Sequence, residues 1–134
     1  NPVPYGIDVA PDGRVWFSQF NNSRLGVITP ATGAIEMIDT PFPAPRRFRV
    51  DSQGVLWVPS YFEGKFFRFD PASREFREYR LPTGAGDMVY ALAIDRRDDT
   101  VPRLVRFLRG AFERGEERRR AAVVGAVSGQ GAER

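Results

Sequence analysis

An all-β fold is what this 134-residue sequence predicts, and three observations carry the prediction. A block of sequence recurs at a spacing of 41 positions, Trp16 to Trp57. Within each copy the apolar residues fall in short runs of strand length. Gly, Pro, Asn and Asp separate those runs where antiparallel strands reverse.

The elements follow in order. Residues 4–17 (PYGIDVAPDGRVWF) align without gaps on residues 45–58 (PRRFRVDSQGVLWV). In each, a tight turn at Asp12-Gly13 or Gln53-Gly54 leads into a strand, Val15–Phe20 or Leu56–Tyr61, with glycine supplying the positive φ that such turns require. Asn21 to Ser23 and Glu63-Gly64 turn the chain into strands at Arg24–Ile28 and Lys65–Phe69. Pro30 and Pro71 mark the next turns, before strands at Ile35–Ile38 and Phe76–Tyr79. Pro41 and Pro82 belong to connections between copies, where a missing N–H is harmless. A third copy opens at Val89–Asp95 and breaks off at Val101-Pro102, where the pattern calls for Trp. Four short strands per 41 residues is the size of a β-propeller blade. The expected architecture is therefore a partial β-propeller of two full four-stranded blades and the start of a third. Trp16 and Trp57 are expected in blade packing.

Composition changes at the same break. Residues 1–102 carry 12 Lys+Arg against 13 Asp+Glu, whereas residues 103–134 carry 8 Arg against 4 Glu. Both Trp, all four Tyr and all eleven Pro lie at or before Pro102. Two regions are thus expected, a propeller-repeat region at 1–101 and a basic tail at 102–134. In the tail Leu104, Phe107, Leu108, Ala111 and Phe112 fall on one helical face behind Pro102, predicting a C-terminal amphipathic helix, and the Gly/Ala/Val/Ser-rich remainder predicts disorder. Loss of the repeat in mid-strand is also what a shifted reading frame produces. The opening Asn-Pro-Val-Pro, without an initiator Met or signal pattern, reads as a piece of a longer protein.

Whole classes of chemistry are excluded for this sequence. It has no His and no Cys, so histidine-based triads, zincin motifs, thiolate metal sites and disulfides are closed to it. No apolar run reaches the roughly 20 residues of a spanning helix. The tail's aromatics share its apolar face instead of interleaving with arginine, so neither a nucleic-acid nor a membrane partner is expected. Asp8, Asp12, Asp39, Asp51, Asp70 and Asp95 adjoin turns or strand ends, where capping and Asx-turn roles are expected. Asp98-Asp99 reads as a solvated turn rather than a metal site.

The run Tyr5-Gly6-Ile7, then Gly13-Arg14-Val15-Trp16-Phe17, Asn22-Ser23-Arg24-Leu25-Gly26 and Thr40-Pro41 resembles the repeat of the streptogramin B lyase (virginiamycin B lyase) propellers. Leu56-Trp57-Val58, Gly64-Lys65-Phe66 and Glu78 to Pro82 form a looser second copy. The resemblance implies a seven-bladed propeller and the opening of a cyclic depsipeptide ester by elimination, which bears on antibiotic resistance. It also implies magnesium as the cofactor of a complete protein, none being held by this chain, and an extracytoplasmic location. The family uses a histidine in the blade-opening motif and a glutamate after the Trp-Phe pair. Here those positions hold Tyr5 and Arg46, and Gln19 and Ser60, so no catalytic residue carries over. By the same analogy the ligand face comprises Tyr5, Gln19, Asn21, Arg46, Ser60 and Tyr61. Two function classes follow. One is a catalytically incompetent fragment of a streptogramin lyase-like propeller, and the other a non-catalytic module for a small-molecule, peptide or protein ligand. A calcium-dependent lactonase-type propeller is a third. Open blade edges are expected to make the chain self-associate.

Overall fold

The computed structural model describes residues 2–80, 88–94 and 105–109. The first blade runs β1 (Pro4–Val9), β2 (Val15–Gln19), a single 3-10 turn at Phe20–Asn22, β3 (Arg24–Thr29) and β4 (Ala34–Asp39). The second runs β5 (Arg49–Val50), β6 (Leu56–Ser60), β7 (Lys65–Asp70) and β8 (Glu75–Arg80). Each is a four-stranded sheet with its strands in chain order, and every adjacent pair is antiparallel. The chain folds as a partial β-propeller, as the sequence predicts.

The turns that set the repeat have the expected backbone. Gly13 and Gly54 hold φ of 85° and 82°, and Gly64 holds 61° where the first copy has Ser23 at 51°. In the next turn the roles swap, with Gly33 at 71° and Arg74 at 61°, so a non-glycine residue bears the left-handed conformation in one of each pair.

Alternation along the strands sends one face of each blade toward its neighbour. Trp16, Leu25 and Val27 of the first blade meet Phe48, Leu56, Val58, Phe67 and Phe69 of the second in one core. Phe42, from the connection between blades, stacks on Phe67 with ring centroids 3.9 Å apart. The opposite face of the second blade, through Trp57 and Phe66, packs on Val89 and Leu92. Both tryptophans are buried and point to the following blade.

The aspartates serve the backbone. Asp51 accepts from the amides of Gln53 and Val55 and, at 3.0 Å, from the Trp57 indole N–H. Its counterpart in the first copy is Ala10, and the Trp16 indole N–H is buried with no acceptor among the described residues. Asp8 accepts from the amide of Val50 and so ties β1 to β5. Asp12 and Asp70 accept from amides two residues ahead, and Asp39 pairs with Arg24. Hydrogen bonding from the Arg14 backbone holds the Asp12 carboxyl below the usual carboxylate range. Asp95, Asp98 and Asp99 lie outside the described residues, as does Pro82.

The third blade corrects one expectation. Its first strand, β9 (Val89–Ile94), is where the sequence puts it, but Val105–Arg109, read as part of an amphipathic helix, is a strand, β10. It runs antiparallel to β9, with Val105 opposite Ile94 and Leu108 opposite Ala91. The edge of β9 carries backbone groups that need partners, and a second strand supplies them. Five residues of mixed apolar and basic character suit a strand as well as a short helix, and only the partner decides. Leu104, Ala111, Phe112 and the expected disordered segment lie outside the described residues.

Candidate functional site

Three inner strands lie side by side and bring the blade-opening residues together. Residues 44–47 bond to the end of β6: the amide of Arg46 donates to the carbonyl of Pro59, and that of Tyr61 to the carbonyl of Ala44. The amide of Val89 donates to the carbonyl of Tyr61, and Arg47 bridges Ala91 in parallel. On the other side Gly6 packs so tightly that a Cβ there would meet the carbonyl oxygen of Arg46 at 2.8 Å. Buried Ser18 fastens this junction, accepting from the amide of Gly6 at 2.9 Å and donating to the carbonyl of Arg46 at 2.8 Å.

At the end of these strands the Arg46 guanidinium is enclosed by aromatic rings. Its Cζ lies 3.9 Å from the ring centroid of Tyr61, 4.0 Å from Tyr90, 4.7 Å from Tyr5 and 5.2 Å from Phe20. Such cation–π contacts favour the charge without accepting a hydrogen bond. Nε and Nη1 of Arg46 are buried with no hydrogen-bond partner among the described residues. Burial works against its charge, but the Tyr61 and Tyr5 hydroxyls outweigh that and raise its pKa further. Arg47, exposed, stands 5.4 Å from the Tyr90 ring and 6.0 Å from the Tyr5 ring.

The Tyr5 hydroxyl lies 2.8 Å from that of Tyr90. Burial pushes the Tyr5 phenol up, yet the hydrogen bond with Tyr90 and the charges of Arg46 and Arg47 bring it below the ordinary tyrosine value. Tyr90 moves the other way, chiefly through that same hydrogen bond. A spectrophotometric titration of the four tyrosines is expected to show one ionising ahead of the rest. Tyr5→Phe removes that component, and Arg46→Met moves it toward the ordinary value of about 10. Since the folded-state pKa is depressed, its contribution to stability grows as pH rises from that pKa toward about 10 and is absent below it. Coincident ionisation of all four would refute the assignment.

Of the six residues expected on the ligand face, Tyr5, Arg46 and Tyr61 converge in this cluster. Gln19 ends β2 half-buried, paired with Pro4, and Asn21 is exposed in the 3-10 turn; neither joins the ring contacts. Ser60 is fully buried, its Oγ 3.1 Å from the Pro43 carbonyl and 3.0 Å from the Glu63 carboxylate, which share its single proton, and this makes it part of the scaffold. Sequence reasoning missed Phe20, Tyr90 and Ser18. Tyr90 is the third blade's equivalent of Tyr5 and Arg46. Ile94-Asp95 matched to Val50-Asp51 gives that equivalence.

No family model matches the chain, and neither does any curated protein. Solved structures do. Virginiamycin B lyase from Staphylococcus aureus superposes with a TM-score of 0.64 at 24% identity, over 82% of this chain and 39% of that one. A streptogramin B lyase structure gives 0.62, also at 24% identity, over 80% and 37%. The calcium-binding protein regucalcin from Agrobacterium tumefaciens gives 0.59 at 22% identity, over 78% and 37%. The chain thus spans well under half the length of each of these three proteins, and at these identities the likeness is one of fold: this chain folds as blades of a streptogramin B lyase-like β-propeller.

Proposed function

We propose that these blades form a ligand-binding, non-catalytic part of a streptogramin lyase-like β-propeller. The observation that supports this most is Arg46 in its aromatic cage at the blade-opening position. Elimination from an ester needs a base to take the α-proton and an electrophile to hold the developing enolate charge. Here the blade-opening positions hold an arginine, which stays protonated in proteins, and two mutually hydrogen-bonded tyrosines. The nearby carboxylate, Glu63, is engaged by Ser60. What the site offers instead is a cation, flat apolar walls and hydroxyls, a set suited to holding a small molecule or peptide. Magnesium and ester opening belong, on this reading, to a complete propeller with residues this chain lacks.

The test incubates the purified chain with a streptogramin B antibiotic and magnesium, alongside the Staphylococcus aureus enzyme, and follows linearisation by mass spectrometry. Intact substrate with the chain and opened substrate with the enzyme is the expected result. Ester opening by the chain that Tyr5→Phe abolishes would overturn the non-catalytic reading.

A further inference from the structure

Arg46 carries a charge that the described protein does not neutralise. Its Nε and Nη1 bear three of the five guanidinium N–H bonds and are buried without an acceptor. Four π faces surround it, and no carboxylate forms an ion pair with Arg46 or Arg47 among the described residues. A partly desolvated cation without a counter-ion is costly, and an arriving anion removes that cost. Arg46 as a whole is half-buried. Beside the cage Phe62 is 58% exposed, its ring centroid 4.8 Å from Tyr61 and 6.0 Å from Phe20. An apolar shelf thus adjoins a cation that lacks its partner.

We propose that Arg46 anchors a carboxylate whose flat, apolar body rests on Phe62 and Phe20, so that the site selects aromatic carboxylates. Arg47 adds attraction at the rim. One monovalent anion matches the single enclosed guanidinium, whereas a phosphate dianion would need further donors. This rests on the ligand-binding reading above and names its ligand class.

The experiment titrates the full chain with benzoate, with neutral benzamide and with phenyl phosphate, following each probe by ligand-observed NMR. Benzoate is expected to bind more tightly than either other probe. Arg46→Met weakens benzoate roughly 10- to 100-fold, the scale of a lost charge-assisted hydrogen bond, and leaves benzamide unchanged. Arg46→Lys, which keeps the charge, retains part of the benzoate binding if the folded site persists by circular dichroism. Equal binding of benzoate and benzamide, or benzoate binding that survives Arg46→Met, overturns the carboxylate assignment while the binding reading stands. Preference for phenyl phosphate makes the site a phosphate site and also overturns it. Failure of all three probes overturns the binding reading itself.

Discussion

Trp16→Ala is expected to cost about 3–5 kcal/mol, the range for removing a buried aromatic, and to leave the first blade without a fixed relation to the second. Trp16 is 1% exposed and sits in the core shared by the two sheets, edge-on to Phe69 at 5.9 Å. The loss is comparable with the whole stability of many small domains, so the cooperative transition in urea should shrink or vanish. The two tryptophans, equivalent by the repeat, should nevertheless respond differently to phenylalanine. Trp57 donates its indole N–H to Asp51, and Trp57→Phe takes a donor from that carboxylate. Trp16 has no such acceptor among the described residues, so Trp16→Phe discards an unsatisfied donor along with some volume. Trp57→Phe should therefore cost about 1–2 kcal/mol more than Trp16→Phe. Equal costs would show that the Asp51 bond contributes nothing, and a Trp16→Ala loss under about 1 kcal/mol would refute the shared core.

Most of the blade is legible in the sequence because its causes are local. Asp12-Gly13 and Gln53-Gly54 announce turns through the one residue type that takes positive φ freely, and both glycines hold it. Trp16 and Trp57 announce packing through their size and their spacing. The site is only half legible because its geometry is not local. Tyr90 hides behind a lengthened connection: Asp51 and Asp95 stand 44 positions apart, so a strict spacing of 41 points from Arg46 to Asp87. Phe20 reads as the end of a strand, yet the 3-10 turn begins there and carries its ring to Arg46. Ser18 is a polar residue on a packing face, and only the neighbouring strand reveals its acceptor, the carbonyl of Arg46. Strand β10 likewise depends on its partner β9 more than on its own residues.

The purified chain is expected to self-associate through the outer face of its first blade, and Ile7→Lys with Ile35→Lys to render it monomeric. That face is apolar in register across all four strands: Ile7 lies opposite Phe17 and Val9 opposite Val15, while Val15 leads through Ile28 to Ile35 and Gly26 lies opposite Met37. Ile7, Val9 and Ile35 are 66%, 58% and 63% exposed. By the repeat, Val15 and Phe17 correspond to Leu56 and Val58 of the second blade, and those are fully buried against the first. The same surface is thus covered in one copy and bare in the next, and what covers it is another blade. In a longer propeller that neighbour is a further repeat; in the isolated chain a second copy is the available apolar surface, and burying these side chains would release their exposed area from water at about 25 cal/mol per Å². Sedimentation velocity over a hundredfold range of concentration checks this. The unaltered chain should shift toward dimer as concentration rises, whereas the doubly substituted chain should stay monomeric with an unchanged unfolding midpoint when both are compared at high dilution, because the replaced side chains are exposed there. A wild-type chain that remains monomeric throughout would refute the association, and an association that survives both lysines would move it to another edge, such as β8 or β10.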